Sequence, residues 1–415
     1  MGNSQGRVAV LLHIVGFGKG GIESALMQWL RIFDRSRFDV TLSVMFSSPA
    51  FEQHFRARVP ADVKVEVLAD RAWLTRLEAR RYAGRLGKFG RVCRDVFNTA
   101  AVHPYVRKRL ATLARQHDVL IDFDMSLRRW VRSFDIASVA VSHFSFNARF
   151  GHRPRKVRRL SHQLRDYDRV IALNQQMADE APILFGNELP RPFLLPNAID
   201  VDAIRARANE PAAPRSPVAA PYIVSVARLD ELQKDHRTLL HAYARLLQDK
   251  PIVEHLVLVG DGAFRQELEA CAASLGIAER THFVGHVDNP HALIAGASLF
   301  ILSSRNEGQP MGLLEALAHG KPVVSTDCPT GPRDILDHGR AGILLPVGDI
   351  QTMADAMGRI LSNAQLREEM SAKALARAQH YGIEASKERL ALCVGNVLKA
   401  RHHPKAALAL EAVST

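Results

Sequence analysis

The chain has 415 residues, 47% of them hydrophobic, and a net charge of +12 from 55 Lys and Arg against 43 Asp and Glu. This length exceeds a typical single domain and the apolar share is too high for a disordered chain, so two globular domains are expected. The positive balance favours anionic partners (nucleic acid, an acidic membrane surface or phosphorylated substrates) without choosing among them, and no apolar run reaches the roughly 18 residues of a membrane-spanning helix.

The first apolar run, 8–15, follows Arg7 in the manner of a signal peptide. It is short and leads into glycines rather than a small-residue cleavage site, so it reads as a central parallel strand. Met1-Gly2 does not complete a myristoylation signal, because Gly6 stands where Ser or Thr is needed. Next comes Gly16-Phe17-Gly18-Lys19-Gly20-Gly21, a literal G-x-G-x-x-G between a strand and a helix. A dinucleotide site needs an acidic residue at the end of the second strand, and that strand, 40–46, ends in Phe46-Ser47-Ser48. An NAD site is therefore not expected, although glycines and a helix N-terminus still favour an anion or a sugar close by.

Helical spacing of Ile22, Leu26, Trp29, Leu30 and Phe33 predicts a helix over 22–33. Further strands are predicted at 63–68, 119–123, 138–142 and 169–173, giving a first α/β domain over 1–196. Asp122-Phe123-Asp124 spells a D-x-D, but it follows an early strand and reads as a strand-end acidic pair, with no metal expected. Between His152 and Arg165 lie Arg153, Arg155, Lys156, Arg158 and Arg159, with Val157, Leu160 and Leu164 forming a narrow apolar stripe if the segment is helical. An anionic membrane surface is the partner expected of it. The stretch 71–94 adds more basic residues.

Periodicity fades in the Pro- and Ala-rich stretch 208–221, so 197–221 is read as an interdomain linker. Strands are then predicted at 222–227, 255–260, 281–284, 299–302 and 322–326. Helices are predicted at about 235–248, 263–275, 290–297, 312–319 and 351–361. These make a second α/β domain over 222–382, followed by a helix at 383–400 and a tail, together 383–415. Arg228 lies just past the first of these strands and Lys234 six residues on, at the sheet edge where open α/β folds bind ligands. A guanidinium fork with an ammonium point charge suits diphosphate oxygens. Glu307 and Glu315 stand eight residues apart, in the loop after strand 299–302 and on the helix that follows. One is placed to meet a sugar and the other a ribose. Cys93, Cys271, Cys328 and Cys393 are scattered and read as reduced, packed thiols.

Taken together, Gly20-Gly21-Ile22-Glu23, Leu195-Pro196-Asn197-Ala198-Ile199-Asp200, Arg228 with Lys234, Val259-Gly260-Asp261-Gly262, Phe283-Val284-Gly285, Glu307 with Glu315, and Gly320-Lys321-Pro322 resemble one family. The chain resembles GT-B-fold retaining glycosyltransferases of the group 1 type, family four, of the bacterial surface-polysaccharide kind. The resemblance implies two Rossmann-like domains whose parallel sheets face a central cleft. It implies that Arg228 and Lys234 grip the donor diphosphate, Glu307 holds donor-sugar hydroxyls and Glu315 the ribose. His143 matches the family's first-domain histidine near the donor sugar. Gly20, Gly21, Val284, Gly308, Met311, Gly312 and Leu313 would line the donor. Two departures stand out: Gln309-Pro310 replaces a common aromatic-glycine pair, and Ala227 stands where Gly is frequent.

The implied reaction moves a hexose or N-acetylhexosamine from a nucleotide diphosphate, UDP by family frequency, to a saccharide or lipid-linked acceptor in lipopolysaccharide, capsule or related glycan synthesis. No metal or other cofactor is expected. The expected location is cytoplasmic, peripheral on the inner face of the membrane. A nucleotide-sugar 2-epimerase shares the fold and is the enzymatic alternative. Basic nucleic-acid binding is the non-enzymatic one, but no recognition helix, zinc finger or aromatic-interleaved basic motif supports it, and nucleic acid is not expected as a partner.

Overall fold

The computed structural model describes residues 6–18, 21–82, 86–186, 189, 191–211 and 216–401. The first sheet contains β1 (Val8–Gly16), β2 (Phe38–Phe46), β3 (Lys64–Val67), β4 (Val119–Asp122), β5 (Ala137–Ser142), β6 (Arg169–Ala172) and β7 (Phe193–Leu194). Their order is β3-β2-β1-β4-β5-β6-β7, and every pairing is parallel. The second sheet contains β8 (Tyr222–Val226), β9 (His255–Val259), β10 (Thr281–Gly285), β11 (Leu299–Leu302), β12 (Val323–Thr326) and β13 (Ile343–Leu345), ordered β10-β9-β8-β11-β12-β13 and also parallel. The apolar runs at 8–14 and 299–302 exist because helices cover both faces of such a sheet, leaving no side of the strand wet.

In each sheet the strand order reverses at one place, between β1 and β4 and between β8 and β11. Ligands of open α/β sheets bind beyond the carboxyl ends of strands at such a point. The glycine turn follows β1 and the Asp122–Asp124 loop follows β4. In the second sheet, Arg228 follows β8 and Glu307 follows β11.

The predicted elements fall close to those observed, but the first-domain helices Ala72–Tyr82, Lys88–Phe97, His103–Ala114 and Gln175–Phe185 were not predicted, and four other readings change. The segment read as linker holds a helix, Val201–Arg207, capped by Asp200, whose Oδ1 accepts the Ala203 N–H at 2.9 Å; Val201 and Ile204 are buried. A helix at Ala364–Gln379 and the edge strand β13 were not predicted. The short apolar Ile343–Leu345 run gives little period to read, and the helix buries only Met370, Ala374 and Ala378. Helix Ile383–Ala400 packs on helix Gly21–Ile32 of the first domain, with Arg37 Nη1 bonded to Glu388 at 2.9 Å and Arg401 Nε to Asp168 at 2.8 Å, so the chain's last described helix returns to its first domain. Lastly, the apolar stripe of the basic helix, Pro154–Leu164, faces inward: Leu160 and Leu164 are buried and Val157 packs against them, while Arg155, Lys156, Arg158 and Arg159 stay exposed.

Buried histidines couple the fold to pH, His13 and His291 among them. Burial pushes the His13 imidazole down to about 4, against a smaller opposing pull from Asp124, and its Nδ1 lies 3.0 Å from Ser43 Oγ. Burial, then Arg207, His319 and Arg58, push His291 down to about 3. The unfolded chain takes up these protons near pH 6.5 and the folded chain does not. Stability is therefore full above about 6.5 and falls as pH drops, by about 2 kcal/mol per histidine at pH 5. His143 and His319, each pushed down to about 4 chiefly by burial, add to this loss, while the Asp122 carboxyl, pushed up to about 7 by burial and then by Asp124, opposes it. The melting temperature should therefore be lower at pH 5 than at pH 7.5, and an unchanged value would contradict the neutral burial of these four rings.

Candidate active site

The turn after β8 is built around close backbone approach. A Cβ on Gly260 would stand 1.9 Å from the Ala227 carbonyl oxygen, and one on Gly262 2.3 Å from that of Leu229, so the β9 loop presses directly on the segment bearing Arg228. Gly260 also has φ +148° and donates to the Gly285 carbonyl at 2.8 Å. This explains the Val259-Gly260-Asp261-Gly262 motif as packing that holds the cation turn. Arg228 is exposed, its Nη2 donating to Gln233 Oε1 at 3.0 Å. Lys234 is folded back by its own N–H, which donates to the Asp230 carbonyl at 2.6 Å.

Lys234 and Glu307 meet across the strand-order reversal. Lys234 Nζ lies 2.5 Å from Glu307 Oε1, which also accepts from Ser304 Oγ at 2.6 Å. Glu307 is only 6% exposed. Among the described residues its Oε2 has no hydrogen bond, leaving one carboxylate oxygen for a ligand hydroxyl. The Glu307 backbone is pinned on both sides, donating to the Pro329 carbonyl at 2.8 Å and accepting from Thr330 N–H at 3.2 Å.

The loop bearing Glu307 touches the first domain. A Cβ on Gly308 would stand 2.0 Å from the His143 carbonyl oxygen. The Gly308 carbonyl accepts from Asn174 Nδ2 at 2.7 Å, and Asn174 also caps helix Gln175–Phe185 through Met177 N–H. Gln309 is buried and its Oε1 accepts the Asn197 N–H at 2.6 Å, while Asn197 Oδ1 accepts from Trp29 Nε1 at 3.0 Å. Gln175 N–H donates to Asp334 at 2.7 Å. The departure at Gln309 thus serves as a contact between the domains.

His143 follows β5, its ring centroid 4.4 Å from that of Phe123. Burial pushes its imidazole down to about 4, opposed by Asp124 and a hydrogen bond with the Phe123 backbone, so the ring is neutral at pH 7. Its Nε2 is buried without a hydrogen-bond partner. An unpaired buried nitrogen costs free energy unless a ligand satisfies it.

Helix Met311–Ala318 begins immediately after this loop. A Cβ on Gly21 of the glycine loop would lie 3.9 Å from Met311 Cγ, and one on Gly312 3.2 Å from the Val226 carbonyl oxygen. Leu313 is buried in the core behind the helix. Glu315, one face further along, has its carboxyl raised by burial, against the pull of Arg207 and Arg58. Val284 is partly buried near the end of β10, packed against the core. Gly20 lies outside the described residues. The side chains of Lys234 and Glu307 are therefore brought together directly, Gly308 meets the backbone carbonyl of His143, and Gly21 lies beside Met311. Arg228 does not touch Lys234; the two share the turn through Gln233 and Asp230.

Sequence reasoning missed Ser304, Asn174 and Thr330, and it gave the motif member Asn197 no role. Asn174 carries a readable sign, an Asn just after a predicted strand and before a helix; the others act through loop geometry. Asp122 and Asp124 are loop anchors: Asp122 is buried and accepts from Leu127 N–H at 2.8 Å and from Tyr167 Oη, and Asp124 accepts from Val15 N–H at 2.9 Å. No group of three or more His, Cys, Asp or Glu able to hold a metal occurs among the described residues.

Residues 220–363 match the family model described as Glycosyl transferases group 1. The N-acetylgalactosamine-N,N'-diacetylbacillosaminyl-diphospho-undecaprenol 4-alpha-N-acetylgalactosaminyltransferase of Campylobacter jejuni is 33% identical over 188 residues, 45% of this chain and 49% of that protein. The lipopolysaccharide core biosynthesis glycosyltransferase LpsE of Rhizobium meliloti is 35% identical over 158 residues, 38% of this chain and 44% of that protein. The chain thus spans about half the length, or less, of these curated relatives. Among solved structures, Anabaena HepE in complex with UDP and glucose superposes with a TM-score of 0.72 at 18% identity, over 94% of this chain and 100% of that one. Sucrose-phosphate synthase from Thermosynechococcus elongatus gives 0.71 at 16% identity, over 95% of this chain and 100% of that one. At these identities the structures establish a shared two-domain fold.

Proposed function

We propose that this chain, a GT-B-fold protein whose second domain is of the glycosyl transferases group 1 type, is a retaining glycosyltransferase that moves a hexose or N-acetylhexosamine from a UDP-sugar to a saccharide or lipid-linked acceptor in bacterial surface-glycan synthesis. The observation that carries the reading is the meeting of Lys234, Glu307 and the Gly308–His143 contact at the cleft, with Glu307 Oε2 and His143 Nε2 both unengaged. Relatives named for lipopolysaccharide and undecaprenol-linked glycans, and a fold neighbour holding UDP and glucose, support the substrate classes.

A diphosphate is a good leaving group once its growing charge is met. Arg228, Lys234 and the first N–H groups of helix Met311–Ala318 would supply that charge at the transition state. Glu307 Oε2 and neutral His143 would accept or share hydrogen bonds with sugar hydroxyls, fixing the ring while Glu315 meets the ribose. The sugar–phosphate bond breaks, the acceptor oxygen bonds to the anomeric carbon on the same face, and its proton passes to the departing phosphate. Glu307 is held by Lys234 and Ser304 and is not assigned as a nucleophile.

A nucleotide-sugar panel scored first by thermal shift and then by turnover tests this reading. Saturation at 100-fold over Kd adds about 2.7 kcal/mol of stability. We expect UDP-sugars to give the largest shift, and turnover to persist in excess chelator. Abolition by chelator with rescue by magnesium or manganese would give Asp122 and Asp124 a role beyond anchoring their loop.

We further infer that the first domain rests on an anionic membrane surface. Arg155, Lys156, Arg158 and Arg159 are exposed. Their helix turns its apolar stripe inward, but helix Lys88–Phe97 supplies anchors: Phe89 is 80% exposed, Val92 61% and Val96 63%, beside exposed Lys88 and Arg91. Each cation near anionic lipid contributes about 1 kcal/mol, screened by salt. Sedimentation with phosphatidylglycerol vesicles is expected at low salt, with release at high salt and loss when the four cations are neutralised together. Equal binding to neutral and anionic vesicles, or none to either, would remove this claim.

A further inference from the structure

A cavity of about 540 Å³ lies in the first domain beyond the carboxyl ends of β1 and β2. The glycine turn from Val15 to Gly18 forms one wall, helices Ala72–Tyr82 and Lys88–Phe97 another, and the loop from Ser126 to Trp130 the third. Its charged lining is Arg81, Arg94, Arg128 and Arg129 against Glu23 and Glu78. Glu78 is buried and already engaged, accepting from Arg81 at 3.0 Å and from Asn98 at 3.0 Å, with Arg94 at 3.6 Å. Glu23 accepts the Gly18 N–H at 2.7 Å. Arg128 is aimed by neutral partners, its Nε donating to Gln163 at 3.1 Å and its Nη1 to the Met125 carbonyl at 2.7 Å. Among the described residues, neither Arg128 nor Arg129 has a carboxylate partner.

The four arginines of this lining outnumber Glu23 and Glu78 by two, so the cavity carries an excess positive charge that an anion relieves. A neutral saccharide would not. The apolar wall of Trp130, whose ring centroid is 4.8 Å from that of His103, leaves a surface for the rest of such a ligand. The cavity also shares Gly18 and Glu23 with the loop whose Gly21 meets Met311, so a ligand anchored here lies beside the transfer cleft.

We infer that this cavity binds the phosphate or diphosphate group of the acceptor through Arg128 and Arg129. The inference rests on the transferase reading above and narrows its acceptor to a phosphorylated one.

The test is calorimetric titration of inorganic pyrophosphate, and separately of a short-chain isoprenyl diphosphate, into the full chain presaturated with UDP. Binding of at least one that weakens with salt is expected, as is its loss by about tenfold or more in Arg128→Gln/Arg129→Gln, the size expected for lost hydrogen bonds to charged groups. Arg228→Ala, titrated at a UDP concentration that still saturates it, should retain the binding. Comparable affinity for the two probes would point to the anion alone as the determinant, and tighter binding of the isoprenyl probe to a lipid-borne source. Each of these outcomes supports a phosphate site. Saturable UDP binding with no binding of either diphosphate, or with binding undiminished in the double variant, would overturn this inference alone. Failure to bind UDP at all would instead remove the transferase reading beneath it.

Discussion

Lys234→Ala and Arg228→Ala are each expected to cost sugar transfer about 2–4 kcal/mol of transition-state stabilisation, roughly 30- to 800-fold in kcat/KM, the range for a lost donor to a developing anion. Their effects on folding should differ. Arg228 is exposed and bonded only to neighbours in its own turn, so its loss should leave the melting temperature unchanged. Lys234 neutralises a carboxylate that is 6% exposed. Removing it strands that charge, and breaking a buried pair typically costs about 3–5 kcal/mol. Steady-state kinetics at saturating acceptor, with melting curves of both variants, check the pair of expectations. Near-normal turnover in both would remove the donor-site assignment.

Gly308→Ala should be as damaging for a different reason. The new Cβ would stand 2.0 Å from the His143 carbonyl oxygen and 2.7 Å from its carbonyl carbon, both backbone atoms that cannot rotate away. Relief requires the loop or the first domain to shift by about 1 Å or more, and a displacement of that size at a reacting centre can cost about 100-fold in rate. Arg228 and Lys234, proposed to grip the diphosphate, lie outside this contact, so UDP binding by calorimetry should fall far less than transfer does. Transfer at the parent rate would mean that the contact between Gly308 and His143 does not set the productive geometry.

The sequence made the two-sheet architecture legible because buried parallel strands leave continuous apolar runs, as at 8–14 and 299–302. Arg228 and Glu307 were legible as loop residues beyond such runs, with Lys234 further along the first loop and Glu315 on the helix after the second. What binds the halves together was not. Gln309 accepts from Asn197, 112 residues away, and Asn174 donates to Gly308, 134 residues away. No local period encodes such a pair. The inward turn of Leu160 and Leu164 was misread for a related reason: a cationic stripe with an apolar edge has the same pattern whether the edge meets lipid or a core. Glycines 260, 262 and 308 were visible as motif members, but their purpose, close approach to carbonyl oxygens of another segment, needed the fold.

The central claim is best tested by following a UDP-α-sugar and a phosphorylated acceptor by proton NMR as the enzyme turns over. The account predicts release of UDP together with a new α-glycosidic anomeric signal, and no change in the donor when acceptor is omitted. A β-linked product would contradict retention. Appearance of the free 2-epimer of the nucleotide sugar without any acceptor would contradict transfer itself and make the protein an epimerase.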